Sequence, residues 1–250
     1  AKTCSYTDSN WKDKLTGYNG NSITYDAIGN PLSYHNGFSF TWEKGRQLAG
    51  AANGTDTVSY VYDHEGRRAE KTANGVTSRY TYEGDKVLFE RNGDTNLWYY
   101  YDGEGSPAAI KVRTVIHPYR KDLQGDITGI YSGTTGELLV SYVYDAWGKV
   151  TAIDEADTGE SAELIELNPY LYRGYRYDRE TGLYYLQSRY YDPQVQRFIN
   201  PDSVDFLGYN GDIAGYNMYA YCGNNPVVMA DYDGNIWKII IHLFPSRVRG

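Results

Sequence analysis

Two aspartates stand one residue apart near the end of the chain, Asp231 and Asp233 in "ADYDGN". Carboxyl groups that face one another can share a proton and act as acid and base together. The stretch "DYDG" is also a good turn, so the same residues read as a bend in the chain. A second group runs through "YDRETGLYYLQSRYYDPQVQRFINPD", Tyr177 to Asp202. Here Arg189 and Arg197, with Arg173 and Arg176 just upstream, lie among tyrosines. Guanidinium groups in such a setting stack on rings and pair with carboxylates, for which Asp178, Asp192 and Asp202 are at hand. Pro193 and Pro201 remove ladder donors and end strands. The group reads as a structure that closes and orders the end of a sheet.

Other chemistry is scarce. His35, His64, His117 and His242 are isolated, and the sequence contains no His-x-x-x-His or Cys-x-x-Cys. The stretch "GFSFT" around Ser39 misses the last glycine of a Gly-x-Ser-x-Gly elbow. Neither a metal nor a cofactor is expected. Cys4 and Cys222 are far apart in sequence and fit no metal spacing; they pair as a disulfide or stay as two free thiols.

The elements that must position these groups announce themselves by repetition. A Tyr or Trp followed by an acid recurs at Tyr25-Asp26, Trp42-Glu43, Tyr62-Asp63, Tyr82-Glu83, Tyr101-Asp102 and Tyr144-Asp145, with Asp122 in the acidic place of "YRKDLQG". Successive acids are 17 to 23 residues apart. Five of them, Asp26, Asp63, Asp102, Asp122 and Asp145, continue as Asp-x-x-Gly, the preference of a type I turn whose carboxylate caps backbone N–H groups. Between these turns lie Asn36-Gly37, Asn53-Gly54, Asn74-Gly75 and Asn92-Gly93, which suit two-residue type I′ hairpins. Each unit therefore reads as strand, Asn-Gly hairpin, strand, Asp-x-x-Gly turn. The tyrosines of "SYVYD" and "RYTYE" alternate and line up in rows on one face. Such rows either hold the sheet together or offer stacking surfaces to carbohydrate.

The 250 residues can bury a real core. With 28 Tyr, 27 Gly and 6 Phe the composition favours strands and turns. The net charge of −8 argues against nucleic acid as the main partner, and no apolar run approaches the roughly 18 residues of a membrane span. The chain starts at Ala1 without a charged-then-apolar leader, which suggests a piece of a longer protein.

The units "YVYDHEGRR" and "YVYDAWGKV" resemble the YD repeats of the RHS family, and "TGLYYLQSRYYDP" with "YNMYAYCGNNPVVMADYDGN" resembles its RHS-repeat-associated core. The resemblance implies an all-β fold in which an antiparallel meander coils as part of a β-shell, with a C-terminal core or plug containing short helical turns. It also implies a secreted or cell-surface bacterial protein whose shell encloses or presents a C-terminal toxin. The expected divisions are 1–153, repeat sheet; 154–168, acidic linker or loop; 169–235, core; 236–250, tail. In several relatives an aspartyl self-cleavage frees the C-terminal piece near the end of the core. Here Asp231 keeps the acidic position, Tyr232 replaces the usual proline, and Asn235 stands where an apolar residue is common. The chain is accordingly read as a non-enzyme, with Asp231 and Asp233 the groups that any self-cleavage would use. Its partners are expected to be other YD-repeat segments, copies of itself through open sheet edges, a toxin cargo, or carbohydrate.

Overall fold

The computed structural model describes residues 2–203, 216–235 and the backbone of 238–239. Its main feature is a fourteen-stranded antiparallel sheet that runs in strict chain order from Thr24–Tyr25 to Val150–Glu155. A three-stranded sheet (Cys4–Ser5, Gly17–Tyr18, Asn21–Ser22) precedes it. A four-stranded inner sheet follows, made of Arg176–Asp178, Leu183–Leu186, Arg189–Asp192 and Arg197–Phe198. The antiparallel meander with a core region and short helical turns at Tyr172–Gly174 and Cys222–Asn224 agrees with the expected fold class.

The repeat chemistry is visible turn by turn. In each of the five Asp-x-x-Gly turns one carboxylate oxygen accepts the N–H groups two and four residues ahead: Ile28 and Asn30 on Asp26, Glu65 and Arg67 on Asp63, Glu104 and Ser106 on Asp102, Gln124 and Asp126 on Asp122, Trp147 and Lys149 on Asp145. The fourth-position glycine then sits at positive φ, 82° at Gly66 and 84° at Gly148, where a side chain would be strained.

The residue just before each repeat acid marks a register shift in the ladder, at Tyr25, Trp42, Tyr62, Tyr82, Tyr101, Lys121 and Tyr144. A bulge bends its strand and raises the local twist, so a bulge at every repeat acid, with a further one at Tyr131, curls the sheet steadily. Tyr62, Tyr82 and Tyr101 each donate a hydroxyl hydrogen bond to the carbonyl fourteen residues back, at Leu48, Arg68 and Val87. Each repeat is thereby tied to the one before it. Lys121, standing in a tyrosine place, keeps the tie by reaching Asp102 at 2.5 Å.

Curling is confirmed from the inside. The inner sheet meets the first repeats through Tyr34 and Asp192, 3.0 Å, and the last through Tyr184 on Gly148 O and Tyr191 on Trp147 O, both 2.8 Å. One small sheet can touch both ends of a fourteen-stranded meander only if the meander wraps around it. All of Leu183–Leu186 and Arg189–Asp192 are buried.

Two local expectations need correction. Only Asn74-Gly75 among the four Asn-Gly steps has both residues at positive φ, 50° and 85°. In the other three only the glycine turns positive, at Gly37, Gly54 and Gly93; Asn53 caps the N–H groups of Thr55 and Asp56 with its side chain, and Asn36-Gly37 closes a turn back to Tyr34 O. The step Asn19-Gly20 does have both positive angles. The stretch 154–168, expected as a linker or loop, holds the end of the last strand and a helix, Gly159–Leu167. Thr158 caps that helix by accepting the Ser161 N–H, and Glu160 lies in its first turn, where negative charge is favoured. The break in the twenty-residue period had suggested loss of structure, but it marks a change of element.

Candidate functional site

The arginines and aspartates of the inner sheet are buried, and most find their partners in the repeats, whereas pairing within their own stretch was expected. Asp178 accepts Arg68 Nη1 at 2.6 Å, Arg68 Nη2 at 3.1 Å, Lys71 Nζ at 3.2 Å and the Tyr60 hydroxyl at 3.2 Å. Burial works against its charge, yet the cations Arg68 and Lys71 outweigh that and hold the carboxyl down at about 2. Arg176 donates to Glu90 at 2.6 Å and packs over the rings of Tyr80, Tyr99 and Tyr170. Asp192 accepts the Tyr34 hydroxyl and lies 3.3 Å from His35 Nε2. Arg197 bonds Asp13 O and the Tyr6 hydroxyl. These contacts pin the inner sheet to the wall.

Arg68 and Glu90 escaped the sequence reading. A signal for Arg68 was present: five residues after the repeat acid the other units carry Pro31, Pro107, Ile127 and Val150, so a charge in that apolar slot faces inward and needs a partner.

Arg189 is arranged differently. Its guanidinium carbon lies over Phe198, 3.6 Å from the ring centroid, and one nitrogen, Nη2, reaches both Asp202 Oδ2 at 3.1 Å and Asp231 Oδ2 at 3.2 Å. Its other nitrogens donate to Met218 O and Gly234 O. Asp231 is fully buried; its second oxygen accepts the N–H groups of Gly234 at 2.8 Å and Asn235 at 3.1 Å. Burial, reinforced by the neighbouring acids Asp233 and Asp202, pushes its carboxyl up to about 6 against the pull of Arg189. Burial likewise raises Asp202.

Asp233 acts on this arrangement through its nearby charge and not through a bond to Arg189. It is exposed, its carboxylate accepts the Asn235 N–H at 3.1 Å, and its carbonyl holds Ser188 Oγ at 2.7 Å. The carboxyl that shares a cation with Asp231 is therefore Asp202, twenty-nine positions upstream. A pair of acids on one guanidinium nitrogen, with one acid bonded to the backbone of Gly234 and Asn235, has the parts of an acid–base couple.

The tyrosine rows face inward: Tyr60, Tyr62, Tyr99 and Tyr142 are buried, whereas the intervening Val61 and Val143 are exposed. An open cleft of about 720 Å³ lies between the Asp102 and Asp122 turns and the inner sheet, lined by Tyr82, Tyr101, Tyr232, Lys86, Leu123 and Gln187 among others. Cys4 is exposed and Cys222 buried, and both are free; burial raises the Cys222 thiol. Among the described residues no group of His, Cys, Asp and Glu is placed to hold a metal, and no helix is long and apolar enough to cross a membrane. His242 and all of the tail except the backbone of 238–239, which pairs with Met229–Ala230, lie outside the described residues.

Comparison with known proteins places this architecture. The chain is 37% identical over 239 residues to the tRNA nuclease WapA of Bacillus subtilis, covering 92% of this chain and 10% of that protein. It is 29% identical over 243 residues to the double-stranded DNA deaminase toxin A of Burkholderia cenocepacia, covering 83% of this chain and 16% of that protein. It thus spans only a small part of these relatives. Among solved structures, the TcdB2-TccC3-Cdc42 crystal structure matches with a TM-score of 0.67 at 19% identity over 94% of this chain and 13% of that one. The Photorhabdus luminescens Tc holotoxin pore matches with a TM-score of 0.63 at 19% identity, over 86% of this chain and 11% of that one. The family model for the Teneurin YD-shell matches residues 9–227, and the chain belongs to that family.

Proposed function

We propose that this chain is the closing segment of a secreted or cell-surface bacterial shell that encloses or presents a C-terminal toxin. Residues 1–153 serve as wall, 169–235 as the plug that the wall wraps, and the capped helix between them as the joint. The observation that carries this reading is the inner sheet bound at once to the first and last repeats through Asp192, Tyr184 and Tyr191. Arg176, Asp178 and Asp192 of the inner sheet bind Glu90, Arg68 and Tyr34 of the wall, which is the behaviour of a structural element. By analogy with the relatives named as a tRNA nuclease and a DNA deaminase toxin, the cargo would act on nucleic acid, while the acidic shell would not. Electron microscopy of the full-length protein tests the reading: density enclosed by the shell and resistant to protease supports it, and a cargo digested as fast as the isolated domain overturns it.

A second reading, self-cleavage near the end of the plug, draws support from Asp202 and Asp231 sharing Arg189 Nη2. It replaces the expected partner Asp233 by Asp202. In a longer protein with native downstream sequence, Asp202→Asn and Asp231→Asn would each stop the split and Asp233→Asn would not. An intact product from the native aspartates rejects cleavage. Carbohydrate binding, if tested, belongs in the 720 Å³ cleft, because the tyrosine rows are buried; a glycan array without signal removes it.

A further inference from the structure

Two acids meet on Arg189 Nη2, but different parts of the molecule hold them. Asp231 is fixed by the residues that follow it, through the N–H groups of Gly234 and Asn235. Asp202 is gripped by the wall. Arg46, 156 positions upstream, donates from Nη1 to Pro201 O at 2.7 Å and to Asp202 O. The N–H of Asp202 goes to Met218 O at 2.9 Å, and its Oδ1 accepts the Ser203 N–H at 2.7 Å.

The local sequence explains how an arginine comes to stand there. The unit "WEKGRQ" has Glu43 in the acidic place and lacks the Asp-x-x-Gly spacing of the five capped turns. A short loop, Lys44 to Arg46, joins the paired residues Glu43 and Gln47 instead, with Lys44 and Gly45 at positive φ, 43° and 86°. Gly45 O accepts Asn30 Nδ2 at 2.7 Å, and the same nitrogen reaches Asp26 Oδ2 at 2.8 Å. The loop that carries Arg46 is thereby tied to the turn before it.

The consequence is electrostatic. Arg46 binds carbonyls and leaves the Asp202 carboxylate to Arg189, so two cations act on Asp202. Burial raises its carboxyl, against the pull of Arg189, the Ser203 N–H and Arg46, while Asp233 adds to the rise. Asp231 has a share of Arg189 and, as acidic neighbours, Asp233 and Asp202. Its side chain is also the more deeply buried, 0% exposed against 16%. Burial disfavours charge and cations favour it, so Asp202 is the member placed to stay ionised and Asp231 the member placed to hold the proton.

We propose that Arg46 is a positioning residue through which the wall prepares the acid pair: its grip on Pro201 and Asp202 sets the Asp202 carboxylate against Arg189 Nη2 and keeps it the ionised partner of a protonated Asp231. This role rests on the acid–base reading of the two aspartates and completes it, because the pair is whole only where the wall has wrapped the plug.

Carboxyl-carbon NMR of this chain across pH tests it. In the wild type Asp202 should titrate below Asp231. Arg46→Gln removes the charge, so the Asp202 midpoint should move up and the Asp231 midpoint down, as Asp231 gains the larger share of Arg189. Arg46→Lys, which keeps the charge, should bring both midpoints back towards the wild type. A mere loosening of the fold would lower both midpoints towards the ordinary aspartate value of about 3.9. That result in Arg46→Gln overturns the proposal, as do midpoints that Arg46→Gln leaves unchanged. An Asp231 that titrates below Asp202 in the wild type is equally fatal, and this order needs no Arg46 variant to fold. The midpoints do not depend on whether a longer chain splits, so a failure of the cleavage reading and a failure of this role are told apart.

Discussion

Asp178 and Asp231 are both buried, both bound to an arginine and both at the heart of the plug, yet their charge balance is reversed. Asp178 is one acid between Arg68 and Lys71; Asp231 shares Arg189 with Asp202. Burial raises both carboxyls. Two cations overcome it at Asp178, holding it at about 2, whereas one divided cation does not at Asp231, which sits at about 6. The first pair is a permanent clamp between wall and plug. The second can change its proton count near neutral pH, the property that a proton-transfer group needs and a clamp does not.

The largest effect should come from breaking the clamp. Arg68→Ala strands Asp178 in the interior with Lys71 alone, and removal of one partner of a buried pair costs about 3–5 kcal/mol. Urea unfolding checks this, and Arg68→Met with Asp178→Leu should recover much of the loss. A loss below about 1 kcal/mol, the level of an exposed pair, would mean that the clamp is not buried in solution.

The next effect is a pH dependence of opposite sign at the two places. The folded carboxyl of Asp231 titrates above its unfolded value of about 3.9, so its contribution is fully present below that value and is lost as pH rises through about 6. The difference corresponds to roughly 3 kcal/mol. Asp178 titrates below its unfolded value, so its contribution is present above about 3.9 and is lost as pH falls towards 2. Stability should therefore decline from pH 5 to pH 8, and Asp231→Asn should flatten part of that decline. Asp126, raised to about 6 chiefly by burial, should account for a further part. A wild type equally stable at pH 5 and pH 8 would erase the contrast.

Smaller changes test the wall by itself. Asp145→Ala removes the acceptor of two turn amides and should cost about 0.5–2 kcal/mol by analogy with helix caps; Asp145→Asn, which retains an acceptor, should cost less. Tyr101→Phe removes the hydroxyl tie to Val87 O and Tyr170 and should cost about 0.5–1.5 kcal/mol. Thermal unfolding resolves both. If Asp145→Ala and Asp145→Asn were equally silent, the turn carboxylates would not be holding the repeat.

The wall was legible because its rule is local. Asp63 and Gly66 define their turn within four residues, and Tyr60 and Tyr62 share a face because strands alternate; neither fact needs the rest of the molecule. The plug was legible in kind only. Arg176, Asp178 and Arg189 could be recognised as charges in need of partners, but Arg68 lies 110 positions from Asp178 and nothing local couples them. Asp231 stands out in the sequence by the acidic position it keeps at the end of the core and by its nearness to Asp233, whereas the fold brings it Asp202 through Arg189. The helix at Gly159–Leu167 escaped for a related reason: the stretch is acidic and breaks the period, and Thr158 is a cap only in the presence of the helix that it starts.

The contrast between clamp and titrating pair is tested most directly by following the carboxyl carbons of Asp178 and Asp231 by NMR as pH is varied, with Asp178→Asn and Asp231→Asn assigning the signals. Asp231 should titrate with a midpoint of about 6. Asp178 should remain ionised down to about pH 2. Midpoints for both near the ordinary aspartate value of about 3.9, or an Asp231 that stays ionised below it, would contradict the account.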